Sequence, residues 1–141
     1  MRRDLLCLAV ALAAGCTQPT DRPAALSYGA VACDYCRMTI AAETHAAQVT
    51  RPRGSPRAFD EPGCLVRFAA QSGLAADERA WVHAPAGWLD ARRAWYAVPD
   101  APSSGMMYGV TAHADSAGAA AALRGGGRVA RFDALVRDAR R

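Results

Sequence analysis

The sequence predicts an α+β fold in which a ββαβ unit occurs twice within one small domain. Three observations carry this expectation. A chain of 141 residues suffices for one domain and is too short for two ordinary ones. Its 52% hydrophobic and 21% charged residues are a globular composition and argue against intrinsic disorder. The order of strand-like and helix-like segments in the first half then recurs in the second, as a repeat of element order and not of residue identity.

The first unit opens with a strand over 46–50. The run Arg51-Pro52-Arg53-Gly54-Ser55-Pro56 reads as a turn, since two prolines and a glycine do not fit a central ladder. A second strand over 57–59 returns from it. Asp60-Glu61-Pro62-Gly63 reads as a helix start, with an acidic residue at the cap and proline in the first turn. Leu65, Val66, Phe68 and Ala69 give that helix its apolar face, and Gly73 ends it. A third strand follows over 80–84. In the second unit, strands over 94–98 and 109–112 flank a loop rich in Pro and Ser. Asp115 caps an alanine-rich helix over 116–124, which Gly125, Gly126 and Gly127 stop. A strand over 128–131 leads to a terminal helix capped by Asp133, with Arg137, Arg140 and Arg141 favourably placed near its end. Trp81, Trp88, Trp95 and Tyr96 are spaced as core between sheet and helix.

The first residues read differently. Arg2 and Arg3 precede a short apolar stretch that ends in Leu12-Ala13-Ala14-Gly15-Cys16, the pattern of an export signal closing on a cysteine. It resembles a bacterial lipobox, which makes residues 1–15 a lipoprotein signal peptide and Cys16 the lipidated first residue of the mature chain. Two or three acyl chains, at about 0.8 kcal/mol per buried CH₂, anchor a protein stably. Residues 16–27, with Pro19 and Pro23, read as a flexible tether, and residues 28–141 as the folded domain. The expected location is therefore the periplasm-facing side of a membrane, held by lipid. No apolar run reaches the roughly 18 residues of a spanning helix. The net charge of +4 comes from scattered arginines with no basic stripe, so a nucleic-acid partner is not expected.

Cysteines dominate the chemistry. With Cys7 in the signal and Cys16 taken by lipid, Cys33, Cys36 and Cys64 remain, an odd number for an exported chain. The segment Cys33-Asp34-Tyr35-Cys36-Arg37-Met38 leaves three readings open. A Cys33–Cys36 disulfide, structural or redox-active, is one. A zinc site is another, although closed structural sites want four ligands and a second Cys pair is missing. Cu(I) is the third, because it takes two or three soft thiolate and thioether donors. An extended Cys36-Arg37-Met38 puts both sulfurs on one side. Met106 and Met107, between Gly105 and Gly109, offer further soft donors. His45, His83 and His113 read as surface or satisfied histidines, with His45 the best outside candidate by proximity. No Ser–His–Asp spacing, phosphate-cradling loop or paired carboxylate stands out, so an enzyme is not expected.

Five blocks now stand in order: Cys33 to Ile40, Phe59 to Cys64, Trp88 to Val98, the loop with Met106 and Met107, and Gly126 to Asp133. Together they resemble the NosL family, the nitrous-oxide-reductase accessory lipoproteins. The resemblance covers about residues 30–135 and implies a Cu(I)-binding copper chaperone. It also implies as partner the copper-site maturation machinery of nitrous oxide reductase, a membrane transporter complex and its periplasmic component. The implied fold is a ββαβ duplication similar to an organomercurial-lyase-like domain. Carried over by motif, the Cys-x-Met ligand pair falls on Cys36 and Met38, and the loop methionine on Met106. Cys33 matches the first cysteine of the Cys-x-x-Cys-x-Met form, and Cys64 the Gly-Cys at the helix start. Many members have Gly where this chain has Arg37, and Gly where it has Met107.

Overall fold

The computed structural model describes residues 17–101 and 108–141. Ten elements follow one another: β1 (Ala47–Thr50), β2 (Arg57–Phe59), α1 (Pro62–Ser72), β3 (Arg79–Ala84), β4 (Gly87–Asp90), β5 (Trp95–Pro99), β6 (Thr111–His113), α2 (Ser116–Ala122), β7 (Gly127–Arg131) and α3 (Phe132–Ala139). The strands form two antiparallel sheets, ordered β2-β1-β3-β4 and β6-β5-β7. In each sheet the first strand of the unit lies between its second and third. The two ββαβ units thus share spatial order as well as sequence order, and the expected duplication is present. The first unit adds β4 and the second adds α3.

The sequence reading has no β4. Pro85 and Gly87 look like the end of a strand, but Gly87 at φ 108° turns the chain back into a hairpin. Trp81↔Asp90 and His83↔Trp88 then pair across β3 and β4. Trp88 is consequently half-buried on an outer strand, its indole N–H donating to Glu43 Oε1 at 2.9 Å, instead of filling the core. Two helix boundaries also move. Asp115 caps α2 by accepting from Gly118 N at 2.7 Å, but the helix ends at Ala122, because the three glycines shape the turn into β7. Arg131 is the N-cap of α3, and Asp133 falls in its first turn, where it still favours the helix dipole.

The core lies where α1 and α3 cover the sheets. Phe59, Leu65, Val49, Val82, Tyr96 and Ile40 are fully buried there. The Tyr96 hydroxyl, which must be satisfied at that depth, donates to Ala91 O at 2.6 Å. β1 is buried along its whole length, including Gln48 and Thr50. Their partners come from the segment read as a tether. Gln48 exchanges hydrogen bonds with the Ala24 backbone at 2.9 and 3.1 Å, and Thr50 Oγ1 donates to Thr20 O at 3.2 Å. Backbone contact with the domain thus begins at Gln18, whose N–H donates to Pro52 O in the turn between β1 and β2, ahead of the Tyr28 start read from the sequence.

Candidate metal centre

Two pieces of local structure bring the three cysteines of the domain together. The first is the loop between Ala32 and Thr39, which pair as an isolated antiparallel bridge. Inside it Cys33 N donates to Met38 O at 2.8 Å and Arg37 N to Cys33 O at 3.0 Å. The Cys36–Met38 segment is therefore part of a tight turn and not extended. Arg37 closes that turn in the left-handed region at φ 68°, a conformation that favours glycine. Asp34 docks the loop on β2, its N–H to Ala58 O and its carboxylate to Ala58 N, both at 2.8 Å.

The second piece is the start of α1. Glu61 is its N-cap, Pro62 and Gly63 its first residues, and Cys64 completes the first turn near the positive end of the helix dipole. The sulfurs of Cys33, Cys36 and Cys64 all lie within 4.8 Å of one another. All three are unpaired thiols, with Cys33 and Cys64 buried and Cys36 half-buried. A metal–sulfur bond of about 2.3 Å puts ligand sulfurs about 4 Å apart, so the cluster is within about 1 Å of coordinating geometry.

The protons are unevenly shared. The Cys64 thiol donates to Cys33, and the backbone groups of Cys36, Asp60 and Tyr35 add to it, which holds Cys33 down to about 5. Cys36 N approaches that sulfur at 3.4 Å. Cys64 is raised because it is the donor and because it is buried. Burial likewise raises Cys36. One thiolate beside two thiols is a resting state that loses further protons when a metal ion arrives.

Glu61 does something its sequence position does not announce. The motif reads as a helix cap, yet the side chain makes no capping bond. It is 1% exposed and accepts from Tyr108 N and from Gly109 N, the latter at 3.1 Å. Burial raises its pKa, against the two backbone donors. A carboxylate three residues from Cys64 therefore holds the chain directly after Met106 and Met107. Tyr108 packs its ring where a Cβ on Gly63 would stand, 2.6 Å from that position, and the Arg67 guanidinium covers it at 4.4 Å. Burial raises the Tyr108 pKa, Arg67 opposes, and Tyr35 and Cys64 add to the rise.

Of the residues singled out from sequence, Cys33, Cys36 and Cys64 come together. Met38 sits on the same loop, 38% exposed. Met106, Met107 and Cys16 lie outside the described residues. Glu61 was not singled out as a site residue; a buried-anchor role leaves no spacing signal. The three histidines line a separate cavity. Burial lowers the His113 pKa, Asp115 opposes, and His45 adds to the lowering.

The fold is that of a solved structure, the crystal structure of the copper chaperone NosL from Shewanella denitrificans, at a TM-score of 0.62 and 21% identity. The match covers 82% of this chain and 96% of that one. No family model and no curated protein matches the chain.

Proposed function

We propose that this chain is a membrane-anchored Cu(I) chaperone of the NosL type, delivering copper for the maturation of nitrous oxide reductase. The observation that carries the reading is the group of three sulfurs within 4.8 Å. Thiolates are the donors Cu(I) prefers, and two or three of them suffice. The shared fold with a copper chaperone supports the same reading. Cys33, Cys36 and Cys64 form the ligand set, and the thioethers of Met38 and of Met106 or Met107 assist. The lipid on Cys16 holds the domain at the periplasmic face of a membrane.

The chemistry fits a carrier. A low-coordinate sulfur site binds its cargo tightly yet leaves Cu(I) open to one more ligand. An incoming sulfur or imidazole of the recipient adds before a cysteine leaves, so no free ion forms. Cys36 is the natural last contact, because it is the only one of the three thiols that is not buried. The recipient is the copper-site maturation machinery of the reductase.

Competition titration of the reduced protein against a Cu(I) chelator tests the reading. Cys36→Ser is expected to weaken binding far more than Met38→Leu, since a charged thiolate is the stronger donor. Equal affinity of Cys36→Ser and wild type would place the site elsewhere. A second reading, a thiol–disulfide protein, draws on the depressed pKa of Cys33 beside two thiols. Metal content after anaerobic, reducing purification separates the two.

A further inference from the structure

The chain has three histidines, and all three line one cavity of about 450 Å³. His45 comes from the turn before β1, His83 from β3 and His113 from the end of β6, so the cavity lies where the two sheets meet. None of the three cysteines lines it. We infer that this cavity is a second metal site, ligated by imidazole and taking a divalent first-row transition ion such as zinc, apart from the thiol cluster.

The surroundings of the rings favour ligation. His83 Nε2 faces the Glu43 carboxylate at 3.8 Å, and His113 Nε2 shares a hydrogen bond with Thr111 Oγ1 at 2.9 Å. A metal-bound imidazole has its other nitrogen tied to an oxygen, as His113 Nε2 is tied to Thr111, which fixes the tautomer and leaves one nitrogen for the ion. His83 is further steadied edge-on against Trp88, with ring centroids 5.4 Å apart. Beside His113 Nδ1 the chain carries Gly118, whose missing Cβ would stand 3.6 Å away. Gly118 and Ala122 share one face of α2, and Ala122 lines the cavity. His45 is exposed and held at φ 72°, a left-handed position uncommon for a non-glycine residue. The imidazole nitrogens are not gathered as the thiols are, so binding an ion would draw the exposed His45 ring inward. Imidazole is a borderline donor and suits divalent ions, whereas the thiol cluster suits a soft monovalent one. The two sites would therefore sort metals by charge and softness.

The test titrates zinc into the reduced full domain and follows the imidazole resonances by NMR, with the cysteine Cβ signals as a separate reporter. All three imidazoles are expected to shift together with saturable, stoichiometric binding, in addition to whatever the thiols take up. The variant His45→Asn/His83→Gln/His113→Gln, with asparagine chosen for the left-handed position, should bind one zinc ion fewer while its thiol response persists. Unmoved imidazoles, or an unchanged zinc count in the variant, would overturn the inference. Neither result depends on the thiol site binding Cu(I).

Discussion

Glu61→Gln removes one oxygen from a carboxylate that accepts two backbone N–H groups, at Tyr108 and Gly109. The amide keeps one acceptor and turns an NH₂ towards the other donor. A hydrogen bond to a charged group contributes about 1.5–3 kcal/mol, and a buried donor left unpaired costs about 1–3 kcal/mol. These overlap, since losing the bond is what strands the donor. Against them stands relief of the burial that raises the Glu61 pKa. The net is about 2 kcal/mol of destabilisation, which for a domain of this size lowers Tm by roughly 8 °C. Thermal unfolding of the apo-protein by circular dichroism measures it. Because the lost bond lies between the cysteine helix and the chain following the methionines, Cu(I) affinity should fall in the same variant. A Tm within 2 °C of wild type, as an order of magnitude no larger than ordinary surface changes, would refute the anchoring role.

Arg37→Gly should raise stability by about 0.5–1 kcal/mol, because the left-handed φ of 68° costs an L-residue more than glycine loses in unfolded-chain entropy; a lower urea midpoint would contradict this. Gly63→Ala should destabilise by about 1–3 kcal/mol although alanine is the better helix former, since its Cβ would stand 2.6 Å from the Tyr108 ring. The same urea series checks it, and a stabilised variant would mean that Tyr108 does not pack there. The pH dependence follows from Cys33. Its folded pKa of about 5 lies below the usual 9.0, so its stabilisation is fully present above pH 9 and is lost as pH falls towards 5. Apo-protein stability should decline across that window, and Cys33→Ser should flatten the decline.

Much of the fold was legible because its signals are local. Pro62 and Gly73 bracket α1, Asp115 caps α2, and the proline-rich run 51–56 forces the first hairpin. β4 was not legible, since four residues behind a Pro-Ala-Gly turn carry too little periodicity, and its support comes from pairing with β3. The site divides in the same way. Cys33 and Cys36 are neighbours in sequence, but Cys64 joins them only because Asp34 docks their loop on β2, directly ahead of α1. The extended geometry expected for Cys36 and Met38 fails on one backbone angle, at Arg37. The convergence of three histidines from 45, 83 and 113 is a product of sheet packing, with no spacing in the sequence to announce it.

X-ray absorption at the copper edge of the protein loaded anaerobically with one Cu(I) tests the central claim most directly. The account predicts an edge of monovalent copper and a first shell of sulfur alone, dominated by the cysteine thiolates. That shell should lose one sulfur in Cys64→Ser, the ligand contributed by α1. A first shell of nitrogen or oxygen, or a spectrum unchanged in all three single Cys→Ser variants, would contradict it.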